Sequence, residues 1–345
     1  MRASPRLSLS TPGSAAALAA LALAAPLGCA DGGEMFGSSE EALTASSADD
    51  RAALAMEWAP IHYQDVDQTG SHALGGKADY IARYDFDGDL DGRNNWDRAG
   101  SAAYPLAAHA YYSVVETSSH WFIVYLFFHP RDWADSSFDT EHENDAEGVL
   151  LTVARDGSLF GELKSAVTVA HKDFFSYAPA DGDWDDGDES IDGVLQLEGF
   201  DGGLHPVTAQ EAKGHGLKAR PYFDINGDGV AYYPSLVTAE VPSGPNDRHV
   251  LYKLIDIFQS GGLWANRNRT SLFASSGTFA GDTSGGCGSG LMSCSSNSAN
   301  APWGWDDQND GPGRGAMARD PAGLVESYFD IPERLSLVYT YNPYR

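Results

Sequence analysis

Basic residues and cysteines are scarce in this chain. Its 345 residues include 22 Lys and Arg against 49 Asp and Glu, and the formal net charge is −27 at pH 7. Such a charge repels phosphate backbones and anionic headgroups unless a cation intervenes, so nucleic acid is excluded as a partner. No Gly-x-Ser-x-Gly elbow and no activated cysteine accompanies the histidines, which argues against the common nucleophilic hydrolases.

A long apolar run is missing as well. The run Ala15–Ala25 is too short to span a bilayer, and Arg2 and Arg6 precede it as a positive region. The box Pro-Leu-Gly-Cys29 follows it, so residues 1–29 read as a lipoprotein-type signal peptide. We therefore expect an exported protein that is either anchored to the membrane by a lipid on Cys29 or cleaved nearby and secreted.

The other two cysteines form a natural pair once Cys29 is lipidated. Cys287 and Cys294 lie in the same segment, and an exported protein can keep a disulfide between them.

The remainder divides into a tether and one domain. Residues 30–45 have few large apolar groups and predict a flexible tether. Residues 46–345 show no second linker and predict a single, mostly β domain, an antiparallel β-sandwich with long decorated loops and a few short helices. Within it, residues 259–319 are rich in Gly, Ser and Asn and are too long for an ordinary connection, so they predict functional surface or disorder.

Short apolar segments between turns predict the strands. They are residues 110–116, 121–128, 148–154, 159–169, 193–197, 249–257 and 335–341. Helices are predicted over residues 51–58, with Ser47 as N-cap, and from Pro321 to Phe329.

The segment from Trp121 to Val153 concentrates carboxylates between two hydrophobic strands. His142, Asp145 and Glu147 form the pattern His-x-x-Asp-x-Glu, and Asp132 follows the first strand. One imidazole and three carboxylates suit Mg²⁺, Ca²⁺ or Mn²⁺ better than a structural zinc site. A solvated acidic turn accounts for the composition equally well.

A family resemblance centres on residues 121–153. The sequence Phe-His-Pro-Arg-Asp132, a short loop and then His142-Glu-Asn-Asp-Ala-Glu147 resemble the central motif of the necrosis-inducing protein family, the necrosis- and ethylene-inducing-like cytolysins. In that family a strand ending Tyr-Phe-Pro-Lys-Asp precedes Gly-His-Arg-His-Asp-Trp-Glu. A bacterial group similar to the vacuolar protein sorting-associated protein 62 family has a related His-Glu-x-Asp-x-Glu core.

The resemblance implies a β-sandwich with a divalent metal that helps to bind sugar headgroups of membrane sphingolipids. Position by position, it assigns the metal ligands to Asp132, His142, Asp145 and Glu147. The sequence departs from the family motif in a longer loop before the histidine, in Asn144 for a histidine and in Ala146 for a tryptophan. The ligands are retained, whereas the recognition surface around them is altered.

Two other acidic clusters have partial calcium-loop spacing. Asp85, Asp87, Asp89 and Asp91 precede Gly92, but Arg98 stands where a bidentate glutamate belongs. Asp224, Asn226 and Asp228 repeat the opening of such a loop without its closing glutamate. Each cluster predicts either a non-standard cation site or an acidic turn that closes a loop.

Four further residues are candidates for ligand contact. Trp303 and Trp305 lie beside Asp306, a combination that stacks and hydrogen-bonds sugars but also plugs the end of a sandwich. His215 lies between two glycines, where it can be exposed as a general base or serve as a structural histidine.

These observations favour an exported, metal-binding β protein that binds a glycan or a lipid headgroup through a divalent cation, with enzymatic activity uncertain. Two alternatives remain open. One is a metal-dependent hydrolase of phosphoesters or glycosides that uses the same acids. The other is a calcium-stabilised surface protein without a small ligand.

Overall fold

The described part of the chain is mostly β, as predicted. The computed structural model describes residues 47–135, 141–221, 223, 225, 227–281, 297–309 and 311–345. Cys29, Cys287, Cys294, Asp224 and Asn226 lie outside these residues, so the lipidation, the disulfide and most of the third acidic cluster stay predictions.

The helices are few and short. Helix α1 begins after Ser47, whose hydroxyl accepts a hydrogen bond from the Asp50 amide while Asp50 caps the Ser47 amide in return. The other helices are α2 Asn95–Arg98, α3 Ala316–Arg319 and α4 Pro321–Tyr328, with α1 spanning Ala48–Glu57. Short 3₁₀ turns occupy Leu74–Asp79, Trp264–Asn266 and Pro302–Gly304. Within the described ranges no helix has the length and apolarity needed to cross a membrane.

Eighteen strands account for the β structure of the described residues. They are β1 Ile61–Asp65, β2 His109–Thr117, β3 His120–Asp132, β4 His142–Ala154, β5 Glu162–Ala170, β6 Asp173–Pro179, β7 Asp185–Asp186, β8 Gly193–Leu195, β9 Leu197–Phe200, β10 Gly203–Gln210, β11 Leu217–Ala219, β12 Gly229–Ser235, β13 Val250–Asp256, β14 Phe273–Ser275, β15 Thr278–Ala280, β16 Asn297–Asn300, β17 Phe329–Asp330 and β18 Tyr339–Tyr341.

The main sheet is mixed, which corrects the prediction of an antiparallel sandwich. Its order is β11-β10-β1-β12-β13-β2-β3-β4-β5-β6-β8, with β9 paired to β10 and β18 paired to β2. Strand β1 runs parallel to β10, and β13 runs parallel to both β12 and β2. Antiparallel neighbours such as β3 and β4 follow one another along the chain, whereas parallel neighbours are joined by long connections that the strand pattern does not pair.

Strands β3 and β4 are the longest pair, and they extend beyond the hydrophobic segments that predicted them. Their antiparallel register places Asp132 opposite His142 and His129 opposite Asp145. The acidic segment from His142 to Glu147 is therefore strand rather than loop, and it brings the predicted ligands to one end of the sheet.

Both faces of β3 are buried, which explains its continuous apolar sequence. Phe122, Val124, Leu126 and Phe128 pack on one face with Trp305 and helix α4. Ile123, Tyr125 and Phe127 pack on the other face with residues of β4, β12 and β13. Alternate residues of a strand point to opposite faces. A strand that is buried on both faces therefore does not alternate between polar and apolar residues.

Candidate functional site

All four predicted ligands line one cavity. The cavity has a volume of about 210 Å³. Its wall is formed by Asp132, His142, Asp145, Ala146, Glu147, His171, Lys172, Ala299, Asn300, Trp305, Asp306 and Gln308. We call it the acid cavity.

A left-handed residue lets His142 and Asp145 reach the same cavity. Residues three apart in a regular strand point to opposite faces. Asn144 lies between them with a φ of 60° and interrupts this alternation. Asparagine tolerates this conformation better than most residues, and the Asn144 side chain is held by the carbonyls of Gly92 and Ala280 at 2.7 and 2.8 Å. Asn144, which stands where the resembling motif has a histidine, therefore allows β4 to present both His142 and Asp145 to the cavity.

The imidazole of His142 bridges a carboxylate and the main chain. Its Nε2 lies 3.2 Å from Asp132 Oδ2, and its Nδ1 lies 3.0 Å from the Asn144 carbonyl. Burial opposes charging of this ring, but the Asp132 carboxylate outweighs it and raises the pKa of His142 to about 9. Without a cation this contact favours the protonated ring, and a cation that took His142 as a ligand would displace that proton.

Beneath the cavity, His215 connects two carboxylates. Its Nδ1 lies 3.0 Å from Asp145 Oδ2, and its Nε2 lies 3.2 Å from Asp79 Oδ1. Burial opposes the charged ring, but the two carboxylates raise the pKa of His215 to about 10. The ring also stacks on His129, with centroids 3.8 Å apart. These contacts fix the orientation of Asp145 at the cavity wall.

Glu147 is the least satisfied acid in the site. It is 3% exposed, and one carboxylate oxygen accepts a hydrogen bond from the His171 amide. The other oxygen, Oε2, has no partner with normal hydrogen-bond geometry. Burial and the neighbouring Asp145 raise the pKa of Glu147 well above its usual range, although the amides of His171 and Leu217 act in the opposite direction. A buried carboxylate oxygen without a donor is a position that a cation would stabilise.

The acids and imidazoles are paired with one another rather than gathered around one point. Among the residues that the structure describes, no three His, Cys, Asp or Glu side chains form a ready-made ligand set. Asp132 is engaged by His142, and Asp145 by His215. The chemistry of the donors nevertheless suits a hard divalent ion, because four carboxylates line the wall and Glu147 Oε2 has no hydrogen bond of normal geometry.

The four residues predicted to contact a ligand divide into two groups. Trp305 and Asp306 line the acid cavity, and the Trp305 Nε1 donates to the Ala146 carbonyl at 2.9 Å. Trp303 is 2% exposed and His215 is 0% exposed, and neither lines this cavity. Trp305 and Asp306 can therefore contact a ligand in the cavity directly. His215 can influence such a ligand through its contact with Asp145.

The rim holds residues that the sequence did not single out as ligand contacts. His171 has a φ of 61° and places its Nε2 2.7 Å from Glu211. Asn300 and Gln308 add amide groups to the wall. The only signal for Asn300 and Gln308 in the sequence was their position in the long Gly, Ser and Asn-rich segment, which did not indicate which residues approach the acids.

In the second acidic cluster, every carboxylate has an arginine partner. Arg98 Nη1 lies 2.8 Å from Asp87 and 2.6 Å from Asp89. Asp85 pairs with Arg83, and Asp91 pairs with Arg93, at 2.9 and 2.7 Å respectively. A cation in this loop stays a prediction, and it would have to displace Arg98. In the third cluster the described Asp228 accepts hydrogen bonds from Gln68 and Asn246.

Solved structures provide one comparison. The chain matches NLPPya in complex with glucosamine at 16% identity and a TM-score of 0.34, over 75% of this chain and 87% of the other. It matches Necrosis and Ethylene inducing Protein 2, from the causal agent of cocoa's Witches Broom disease, at 14% identity and a TM-score of 0.32, over 66% and 82%. These structures are of the same kind of protein that the motif at residues 121–153 resembles.

A third match is a structure described as a toxin fold for microbial attack and plant defense, at 16% identity and a TM-score of 0.34, over 67% of this chain and 83% of the other. No family model matches the sequence, and no curated protein matches it. At these TM-scores, what the acid cavity does has to be inferred from its own side chains.

Proposed function

We propose that the acid cavity binds one divalent cation, Mg²⁺, Ca²⁺ or Mn²⁺, and through it a small polar ligand. The observation that supports this most directly is the gathering of Asp132, His142, Asp145 and Glu147 on one wall, with a buried Glu147 oxygen that has no hydrogen bond of normal geometry. These four residues would hold the ion. The ion would supply the positive charge that lets three carboxylates stay ionised in one small space.

The proposed ligand is a glycan or the sugar-bearing headgroup of a membrane lipid. At about 210 Å³ the cavity is smaller than the roughly 300–1,000 Å³ that holds a drug-sized molecule. Its wall offers the amides of Asn300 and Gln308, the Asp306 carboxylate and the indole of Trp305. Hydroxyl-rich rings are held by such a combination of hydrogen-bonding groups and one aromatic surface.

A metal-dependent hydrolase of phosphoesters or glycosides is the second candidate. The pair His171–Glu211 favours it, because an imidazole that is oriented by a carboxylate at the rim of an acidic cavity is an arrangement used for proton transfer. The histidine lies close to Glu147, with Nδ1 3.9 Å from Glu147 Oε1. A binding protein would leave its ligand intact, whereas a hydrolase would release a product.

Export and anchoring belong to the same proposal. A lipid on Cys29 would hold the domain at a membrane, where a headgroup ligand is found, and simple cleavage would release it as a secreted protein. A calcium-stabilised surface protein without a small ligand is the remaining possibility.

Calorimetric titration tests the cation site. Mg²⁺, Ca²⁺ and Mn²⁺ are titrated separately into the wild type and into the variants Asp145→Asn and Glu147→Gln. We expect each variant to lose affinity roughly tenfold or more, because even outer contacts to a metal site are worth about 10–100-fold. Glu143→Gln is the matched control, since Glu143 accepts from the Trp96 amide at 3.0 Å and does not line the cavity. Equal affinity in all four proteins, or none in the wild type, would reject the site.

The ligand is tested with glucosamine and mannosamine as probes. Each sugar is titrated into the protein loaded with the ion that binds and into protein held in a chelator. Binding that requires the ion supports the proposal, and binding that is unchanged in the chelator contradicts it. Mass spectrometry of the protein incubated with phosphoester and glycoside substrates then separates binding from hydrolysis.

A further inference from the structure

The described residues that line a second cavity include two arginines and no acid. It has a volume of about 340 Å³, and its wall consists of Ser275, Ser276, Trp303, Arg314 and Arg319. We call it the arginine cavity. Among the described residues, none lines both this cavity and the acid cavity.

The backbone that carries the two arginines is firmly held. Arg314 and Arg319 flank the short helix α3, and Gly315 between them has a φ of 79°. The Gly315 amide donates to the Trp305 carbonyl at 2.6 Å, and the Arg319 amide donates to the Gly315 carbonyl at 2.9 Å. A Cβ at Gly315 would lie 2.6 Å from the Trp303 carbonyl oxygen, so this turn is packed directly against the core. The arginine cavity is therefore attached to a rigid support.

The guanidinium of Arg314 is oriented by neutral acceptors. Its Nη2 donates to Thr278 Oγ1 at 2.6 Å and to Asn300 Oδ1 at 2.7 Å. Its Nε and Nη1 make no hydrogen bond with the described residues, and Arg319 makes one long contact of 3.5 Å with Ser276 Oγ. Most of the donors of both side chains therefore make no hydrogen bond with the described residues and can face a ligand.

Neither positive charge is neutralised within the described part of the chain. Arg314 and Arg319 form no ion pair there, whereas Arg98, Arg155 and Arg220 each pair with a carboxylate. The acid next in sequence to Arg319 is Asp320, which instead accepts from Arg345 at 3.1 Å and from the Tyr339 hydroxyl at 2.7 Å. In a chain with a net charge of −27, two arginines on one cavity with no ion pair to the described residues form a local positive site.

We propose that the arginine cavity binds an oxyanion, a phosphate or sulfate group. Guanidinium groups present planar pairs of donors that match the oxygens of such groups. The hydroxyls of Ser275 and Ser276 add neutral donors at the same wall. The net charge of the protein repels anions at long range, but this repulsion is screened over about 8 Å at physiological ionic strength, so the local arginines decide binding.

The experiment uses the full domain with inorganic phosphate and with sulfate as probes. Each is titrated by calorimetry into the wild type, Arg319→Gln and Arg334→Gln. Arg319 is the informative position because Arg314 also supports Asn300, which lines the acid cavity. Arg334 is exposed and lies outside the arginine cavity, so its variant makes the same change in net charge. We expect saturable binding that weakens roughly tenfold in Arg319→Gln and is unchanged in Arg334→Gln.

Three results would overturn the proposal. They are the absence of saturable binding in the wild type, equal binding in the wild type and Arg319→Gln, and an equal loss in both variants, which would mark an effect of net charge alone. Binding of divalent cations is measured in Arg319→Gln as well, and we expect it to be unchanged because the two cavities have separate walls.

A second arm identifies where the oxyanion comes from. Phosphatidylcholine vesicles with and without phosphatidic acid are sedimented with the wild type and with Arg319→Gln. Sedimentation that requires both phosphatidic acid and Arg319 assigns the site to a lipid headgroup. Binding of phosphate or sulfate without such sedimentation assigns it to a soluble or glycan-borne oxyanion.

Discussion

His215 Nδ1 lies 3.0 Å from Asp145 Oδ2, and this contact joins the wall of the acid cavity to the buried interior. The other nitrogen of the ring lies 3.2 Å from Asp79, so one imidazole separates two buried carboxylates. Asp79 in turn accepts from the indole of Trp133 and the amide of Lys213, at 2.7 and 3.0 Å. The position of Asp145 is therefore set by a network and not by one strand alone.

Replacing His215 should lower the stability of the fold. His215→Gln leaves Asp79 and Asp145 buried without their shared positive charge, and breaking a buried charged pair costs about 3–5 kcal/mol. We expect the free energy of unfolding, measured by urea denaturation, to fall by that amount. Adding Asp79→Asn should recover part of the loss, because one buried carboxylate is then neutral.

The control for this change is His249→Gln, since His249 is exposed. We expect its unfolding free energy to stay within about 0.5 kcal/mol of the wild type. A loss of less than about 1 kcal/mol in His215→Gln would mean that the network does not depend on the charged ring.

The pH dependence of stability gives a second prediction, through His62. Burial lowers the pKa of this ring to about 3, and it stacks on Phe127 with centroids 3.9 Å apart. Below its unfolded pKa of about 6.5 the unfolded chain takes up a proton that the folded chain cannot. Its contribution to stability is therefore complete above pH 6.5 and is lost as the pH falls toward 3.

His62→Phe keeps an aromatic ring and removes the titration. We expect the slope of unfolding free energy against pH, between pH 6 and pH 4, to decrease by about 1.4 kcal/mol per pH unit relative to the wild type. Urea titrations at several pH values measure it. Parallel slopes in the two proteins would show that His62 is protonated in the fold or that it does not contribute.

Local patterns in the sequence predicted the local structure. The Ser47 cap, helix α4 and the strands around Trp121 and Val153 follow from turn residues, caps and apolar runs, and the structure confirms them. The acidic residues 142–147 fall between the two apolar runs that predict these strands. They are strand here, since Arg131 opposite Glu143 continues the ladder.

Contacts between distant segments of the chain could not be predicted from the sequence. The parallel pairing of β13 with β2 joins segments more than a hundred residues apart. The same holds for Trp305, whose approach to Ala146 closes the acid cavity, and for Glu211, which meets His171 at the rim. The four acid-cavity residues were found because a short motif carries them, whereas the residues around them come from separate parts of the chain.

Processing provides a third prediction. In a bacterial host, metabolic labelling with a palmitate analogue should mark the wild type, and Cys29→Ser should abolish the label, because the thiol is the acceptor for the lipid. An unlabelled wild type would indicate simple secretion.

The predicted disulfide is tested separately. Intact-mass measurement with and without reductant should show two thiols appearing together, from Cys287 and Cys294. Free thiols before reduction would reject the disulfide.

The last prediction concerns the acidic loop around Arg98. One guanidinium nitrogen lies between Asp87 and Asp89, and the Asp87 side chain is 1% exposed. Arg98→Gln removes that charge and should lower the free energy of unfolding in a chelator by about 1–3 kcal/mol, since a buried charged acceptor loses its partner. If the loop can also hold calcium, the ion takes the place of the guanidinium, and calcium should restore the stability of this variant.

The measurement is urea denaturation with calcium and with chelator, in a Glu147→Gln background that weakens the acid cavity. Arg269→Gln is the control, because Arg269 is exposed and belongs to no ion pair among the described residues. Calcium should stabilise Arg98→Gln more than the same background with Arg98, since competition with the arginine is gone. Equal responses to calcium in all three proteins would leave this loop as a set of arginine–aspartate pairs that closes a turn.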